Sequence, residues 1–214
     1  MSHVPHLCLG EWDAEHVVAI DPGHAHHLRR VLRIDEGAEV TYTNGRGVIG
    51  AGIVRGDIVE RGDESFLDPP PAVVTVAVVP PNSRDRARFL VEKLSELGVR
   101  RIVWLRSRYG HGRVPSRHKT ASWARAALEQ SRGAWLTHVD ESLTGLEQLR
   151  RPLLVAHQGG SPPQPASGPV TIAVGPEGGW ADGEIPEDAT IMGLGDRVLR
   201  VETAALVAAA RLLG

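Results

Sequence analysis

The 214-residue sequence predicts an α/β protein in two parts: a small β-rich N-terminal domain over residues 1–70 and an α/β domain over 71–214. Three observations predict this. After residue 72, β-branched runs alternate with segments of helical period, the pattern of a parallel sheet covered on both faces. Before residue 67, short strand-like runs surround an Asn-Gly pair, a strong hairpin signal. Between them, "LDPPPA" (67–72) puts three prolines in a row, which suits a linker.

The elements follow in order. "HAHHLRRVL" (24–32) predicts a short helix. "EVTYT" (39–43) and "GVIGAGIV" (47–54) predict strands joined through Asn44-Gly45. "VVTVAVV" (73–79) has no polar alternation and predicts a strand buried on both faces. In "SRDRARFLVEKLSELG" (83–98), Ala87, Leu90, Val91, Leu94 and Leu97 keep helical spacing; Ser83 is placed to cap the start and Gly98 to end it. "RRIVWL" (100–105) is the next strand, "RHKTASWARAALEQS" (117–131) a helix, and "LTGLEQL" (143–149) has helical spacing. "PLLVAH" (152–157), "VTIAV" (170–174) and "ATIMGL" (189–194) predict strands. "GGSPPQPASGP" (159–169) has loop composition, and "VETAALVAAARLL" (201–213) closes the chain as a helix.

Composition narrows the classes. Cys8 is the only cysteine, so neither a disulfide framework nor a cysteine zinc site is expected. "MSHVPHLCLGEW" lacks the basic start and apolar run of a signal peptide, and no run is long enough for a membrane span. A cytoplasmic protein is the expectation. Net charge is −2, which by itself argues against phosphate-rich partners, but the distribution is uneven. The only lysines are Lys93 and Lys119; arginines crowd into 24–33 and 84–119. Arginine suits planar recognition of phosphates and bases.

Two glycine patterns need separating. "GRGVIG" (45–50) matches the dinucleotide fingerprint letter for letter. Its context is a hairpin, opened by Asn-Gly and followed by β-branched residues rather than a helix, so it is not read as one. "GPEGG" (175–179) is different, because it follows a strand of the α/β domain, where open sheets bind ligands. Glycine there permits positive φ and close approach. "MGLGDRVLR" (192–200) and "VAHQGG" (155–160) repeat the feature. Three such strand ends predict a backbone-lined pocket, better suited to a neutral adenine and ribose than to a polyphosphate. A tight turn with no ligand is the alternative for any one of them.

The pair "GPEGGW" and "LGDRVLRVETA" resembles the C-terminal signature of bacterial 16S rRNA (uracil-N3)-methyltransferases of the SPOUT superfamily. "HHLRRVLRIDEGAEV" (26–40) is similar to that family's PUA-like RNA-binding barrel, and "EKLSELGVRRIVWLRSR" (92–108) and "EQS" (129–131) are similar to its central blocks. The family follows "EQS" with Gly then Arg; here Arg132 precedes Gly133, so no role is carried to that arginine.

The resemblance implies a C-terminal domain tied in a deep trefoil knot, bent S-adenosylmethionine as cofactor, a homodimer, and 16S rRNA as partner within the small ribosomal subunit. It implies cofactor contacts from Ala156, His157, Gly175, Pro176, Glu177, Gly178, Gly179, Leu194, Gly195, Val198, Leu199 and Thr203. The chemistry then asks for stabilisation of the uracil N3 anion. Arg200 is the candidate cation, and Glu202 the nearest carboxylate. Glu202 also suits the dipole of a helix start, and Thr203 a helix start. Trp180 covers the pocket, stacks on a base or packs in the core. His27, Arg29, Arg30 and Arg33 are expected on RNA phosphates. The histidines of "HAHH" are too crowded for a zinc site, and no metal is expected. Two rivals remain: a SPOUT ribose 2′-O-methyltransferase, and a non-catalytic RNA-binding assembly factor.

Overall fold

The uninterrupted β-branched run at 73–78 needs apolar neighbours on both faces, and the fold supplies them by placing it inside a sheet. The computed structural model describes residues 4–10, 12, 16–21, 25 and 36–214. His27, Arg29, Arg30 and Arg33, with nearly all of the predicted 24–32 helix, lie outside the described residues. The chain forms two compact units, Met1–Pro69 with Leu128–Leu136, and Pro70–Ala127 with Thr137–Gly214.

In the first unit, β1 (His6–Cys8), β2 (Val17–Ala19), β3 (Glu39–Thr43), β4 (Val48–Arg55) and β5 (Ile58–Phe66) form a sheet in the order β1-β3-β4-β5-β2. Only β1 and β3 pair in parallel. The Asn44-Gly45 hairpin joins β3 to β4, with the Asn44 side chain accepting from the Arg46 and Val48 amides. Leu7, Val40, Tyr42 and Val59 are buried at its core. The segment after "EQS" joins this unit rather than the C-terminal one, because its backbone pairs with the hairpin: Gly47 donates to Ala134 and Leu136 to Gly45, both at 2.9 Å. Arg132 holds a left-handed φ of 56°, the position where the family order has glycine, and its guanidinium donates to the Val4 carbonyl at 2.7 Å. A left-handed non-glycine residue costs roughly 1–2 kcal/mol.

In the second unit, β6 (Val73–Val78), α1 (Arg84–Glu96), β7 (Arg101–Leu105), α2 (Arg117–Ser131), β8 (His138–Thr144), β9 (Leu153–Ser161), β10 (Pro169–Val174), β11 (Thr190–Met192) and α3 (Val201–Leu213) follow in sequence; the end of α2 belongs to the first unit. The six strands are all parallel, in the order β11-β9-β10-β6-β7-β8. Ala204, Ala205, Ala208 and Ala209 make a buried face of small side chains on α3, which packs against α1, β6 and β10.

Four local expectations change. Ser83 precedes α1 but makes no side-chain cap; only its carbonyl bonds, to Ala87. Leu97 is an exposed C-terminal residue rather than core, since Gly98 at φ 86° turns the chain away there. The 143–149 segment is half strand: Leu143 and Thr144 pair with Trp104 and Leu105, leaving one 3-10 turn at Leu146–Gln148. β9 runs through the first three residues of the expected 159–169 loop, because Ser161 pairs with Met192.

Candidate active site

The sheet order places β9 between β10 and β11, so the three glycine-bearing strand ends are neighbours. They enclose a cavity of about 300 Å³. From the end of β9 come Ala156, His157 and Gln158; from β10 and its loop, Val174, Gly175, Pro176, Glu177, Gly178, Gly179 and Trp180. The loop after β11 adds Leu194, Gly195, Arg197, Val198 and Leu199, and α3 adds Ala204. All of the cofactor residues expected from sequence line it except Thr203, which is exposed one position before Ala204.

The glycines divide into two kinds. A Cβ on Gly175 would lie 2.8 Å from the Trp180 ring, so this glycine makes room for the protein's own tryptophan. Trp180 in turn donates to the Ala156 carbonyl at 3.1 Å, packs on the core and lines the cavity. Gly160 and Gly193 are needed where two backbones touch: a Cβ on Gly160 would lie 2.5 Å from the Met192 carbonyl carbon. Gly179 (φ 76°) and Gly195 (φ 122°) are otherwise. Both line the cavity, and nothing lies within 4 Å of where a Cβ would stand.

An arginine from α1 reaches Glu177 of the cavity lining. Arg86 grips Glu202 with both ends of its fork, Nε to Oε1 at 2.9 Å and Nη2 to Oε2 at 2.6 Å. The same Nη2 donates to Glu177 Oε1 at 2.8 Å. Burial is the largest single influence and raises the Glu202 carboxyl, but the Arg86 hydrogen bonds, a backbone hydrogen bond and the Arg86 charge together outweigh it and hold the group below the usual carboxylate range. Glu177 is lowered by the same balance. The guanidinium, gripped by both carboxylates, is raised further beyond its already high value. Glu202 is buried at the start of α3, where a negative charge also suits the helix dipole. Both its oxygens accept from Arg86.

Arg200 stands two residues earlier at the N-terminal edge of α3, exposed; its carbonyl accepts from the Ala204 amide at 2.8 Å, and its side chain forms no hydrogen bond or ion pair among the described residues. It does not line the cavity; the equally exposed Arg197 does.

A family model described as an RNA methyltransferase domain matches residues 68–213. The chain belongs to that family. It is 29% identical to ribosomal RNA small subunit methyltransferase E of Synechocystis sp., over 92% of this chain and 73% of that protein. The structure of ribosomal RNA small subunit methyltransferase E from Neisseria gonorrhoeae bound to S-adenosyl methionine aligns with a TM-score of 0.84 at 26% identity, covering 97% of this chain and 96% of that one.

For this methyltransferase-family site, sequence reasoning misses Gln158, Val174, Arg197, Ala204 and above all Arg86. Arg197 carried a readable signal, a cation inside the "GLGDRVLR" loop. Arg86 carried only its place in a basic cluster; nothing local ties it to carboxylates 91 and 116 residues away.

Proposed function

We propose that this chain is an S-adenosylmethionine-dependent methyltransferase acting on uracil N3 of 16S rRNA in the small ribosomal subunit. The observation that carries the reading is the cavity at the ends of β9, β10 and β11, with Glu177 as the sole carboxylate in its lining. Its size is at the small end for ligand pockets. Residues with open space above them, Gly179 and Gly195, fit close approach of a ligand, and an ionised Glu177 fits one bearing positive charge. The Synechocystis and Neisseria relatives support the substrate and cofactor.

When bound, S-adenosylmethionine supplies an activated methyl group, so the protein's work is alignment and charge control. Uracil N3 is a poor nucleophile until it loses its proton. Arg200 would touch the base and stabilise the resulting anion; as a permanent cation it cannot remove the proton itself. Glu202, engaged by Arg86, would position α3 and hence Arg200. Arg197 stands in the cavity wall as a second cation. Trefoil knotting of the C-terminal segment, a PUA-like barrel over residues 1–70, a homodimer and a cytoplasmic setting complete the reading. The tight Gly160–Gly193 crossing is consistent with the first, and exposed Phe89 and Val198 with the dimer.

The test is mass spectrometry of nucleosides from 16S rRNA with and without the gene. We expect 3-methyluridine to vanish in its absence and to return on complementation. Loss of a 2′-O-methyl nucleoside instead would make ribose the acceptor. Unchanged nucleosides, with no calorimetric binding of S-adenosylmethionine, would leave an RNA-binding factor.

A further inference from the structure

A second cavity, about 370 Å³, lies beyond the carboxyl ends of β6 and β7, next along the same sheet edge. Its walls are the turn from β6 into α1 (Pro81, Asn82, Ser83, Arg84, Ala87) and the β7–α2 loop with the first turn of α2 (His111 to Ser116, Lys119). Arg84, Arg113 and Lys119 are exposed and form no ion pair among the described residues, and none of the lining residues is acidic. The amino-terminal ends of two helices, of 13 and 15 residues, open on it. At α1 no side chain caps the free amides, so they remain available to an anion.

The loop carrying His111 and Arg113 is seated rather than merely draped. A Cβ on Gly110 would lie 2.7 Å from Val79 Cγ1, and one on Gly112 would overlap the Pro80 carbonyl. These glycines let the loop rest on the end of β6. The first turn of α1 also reaches the lining of the first cavity, through the Arg86–Glu177 hydrogen bond. Arg86 faces the methyl-transfer site through Glu177 and Glu202, while Arg84 and Ala87 line the second cavity. Alternate positions on one helical turn thus serve the two sites.

We propose that this cavity is a phosphodiester subsite for the substrate RNA strand, holding backbone next to the nucleotide that enters the methyl-transfer pocket. Arg84 and Arg113 offer planar forks for phosphate oxygens and Lys119 a point charge. The subsite rests on the methyltransferase reading and adds an RNA contact separate from Arg29, Arg30 and Arg33.

The test is the salt dependence of binding of a fluorescein-labelled single-stranded RNA to the full-length protein, with methyl transfer to undermethylated small subunits measured in parallel. The variant is R84A/R113A/K119A, with the single exposed-site reversal Lys119→Glu as a second probe and circular dichroism to verify folding. Each phosphate contact on a single strand contributes about 0.7 to the slope of log K against log salt, so the triple variant should flatten it by about 2. KM for the subunits should rise, and affinity for S-adenosylmethionine should not move. An unchanged slope and KM in folded variants overturns the subsite and leaves the methyltransferase reading standing. A wild type that transfers no methyl group overturns both. A defect confined to binding of inorganic phosphate, with the RNA slope intact, also overturns it, since the cavity would then hold a free anion.

Discussion

The two cavities on the carboxyl edge of the parallel sheet are built on opposite principles. At β9–β11 the walls are mostly strand ends, glycines and apolar side chains, with one cation, Arg197, and a carboxylate tied down by Arg86. At β6 and β7 the lining is cationic and carries no carboxylate. The first suits recognition by shape, where a side chain more or less decides what fits. The second suits recognition by charge, which tolerates sequence variation in the ligand and responds to salt. One helical turn, Arg84 to Ala87, lines the second and reaches Glu177 of the first through Arg86, so small spacing separates two chemistries.

The largest expected effect lies just outside the first cavity, where that contrast breaks down, because Arg200 is a free cation beside a shape-built site. Arg200→Ala should slow single-turnover methylation about 100-fold or more, by analogy with loss of one oxyanion donor. Arg200→Lys should recover only part, and raising the pH should partly rescue the alanine variant. A rate defect equal at every pH would reduce Arg200 to a positioning contact.

Next comes the shape principle itself. Asparagine tolerates left-handed backbone, so Gly179→Asn fills open space at φ 76° with little strain. We expect calorimetric affinity for S-adenosylmethionine to fall about 30-fold, roughly 2 kcal/mol, with melting nearly unchanged. Gly175→Ala should do the converse, costing stability through the Trp180 ring by about 1–3 kcal/mol. Should both variants lose only stability, the glycines shape the chain and not a ligand site.

The smallest effect concerns the clamp. Arg86→Gln should destabilise the fold by about 2 kcal/mol near neutral pH, since hydrogen bonds to a buried charge are lost. In the wild type Glu202 is depressed, so its contribution is present above the ordinary value of 4.5 and fades as pH falls through the lower folded value. In the variant, burial without the cation raises the carboxyl. The stability gap between the two proteins, followed by urea denaturation, should therefore narrow as pH falls through the variant's raised value, above 4.5, and close once pH passes below the wild type's lowered one. A gap constant with pH would mean that Arg86 acts through packing alone.

What was legible in the sequence was whatever neighbouring residues determine together. The buried run of β6, the apolar face of α1 through Leu94, the hairpin at Asn44-Gly45 and the three glycine-bearing strand ends all express periodicity or turn chemistry over a few positions. Most of the cofactor residues expected from the family motifs line one cavity for the same reason, since each motif is a single loop. The tertiary structure alone decided how far strands extend and what each glycine is for. β8 and β9 run on because Trp104 and Met192 offer partners, and Gly175 serves Trp180 while Gly179 faces open space. It alone brought Arg86 to Glu177 and Glu202, and set the basic segments 81–87 and 111–119 around one cavity. Those pairings join residues far apart in the chain. Local propensity carries no information about them; they are settled when the strands choose their neighbours and the helices pack across the sheet.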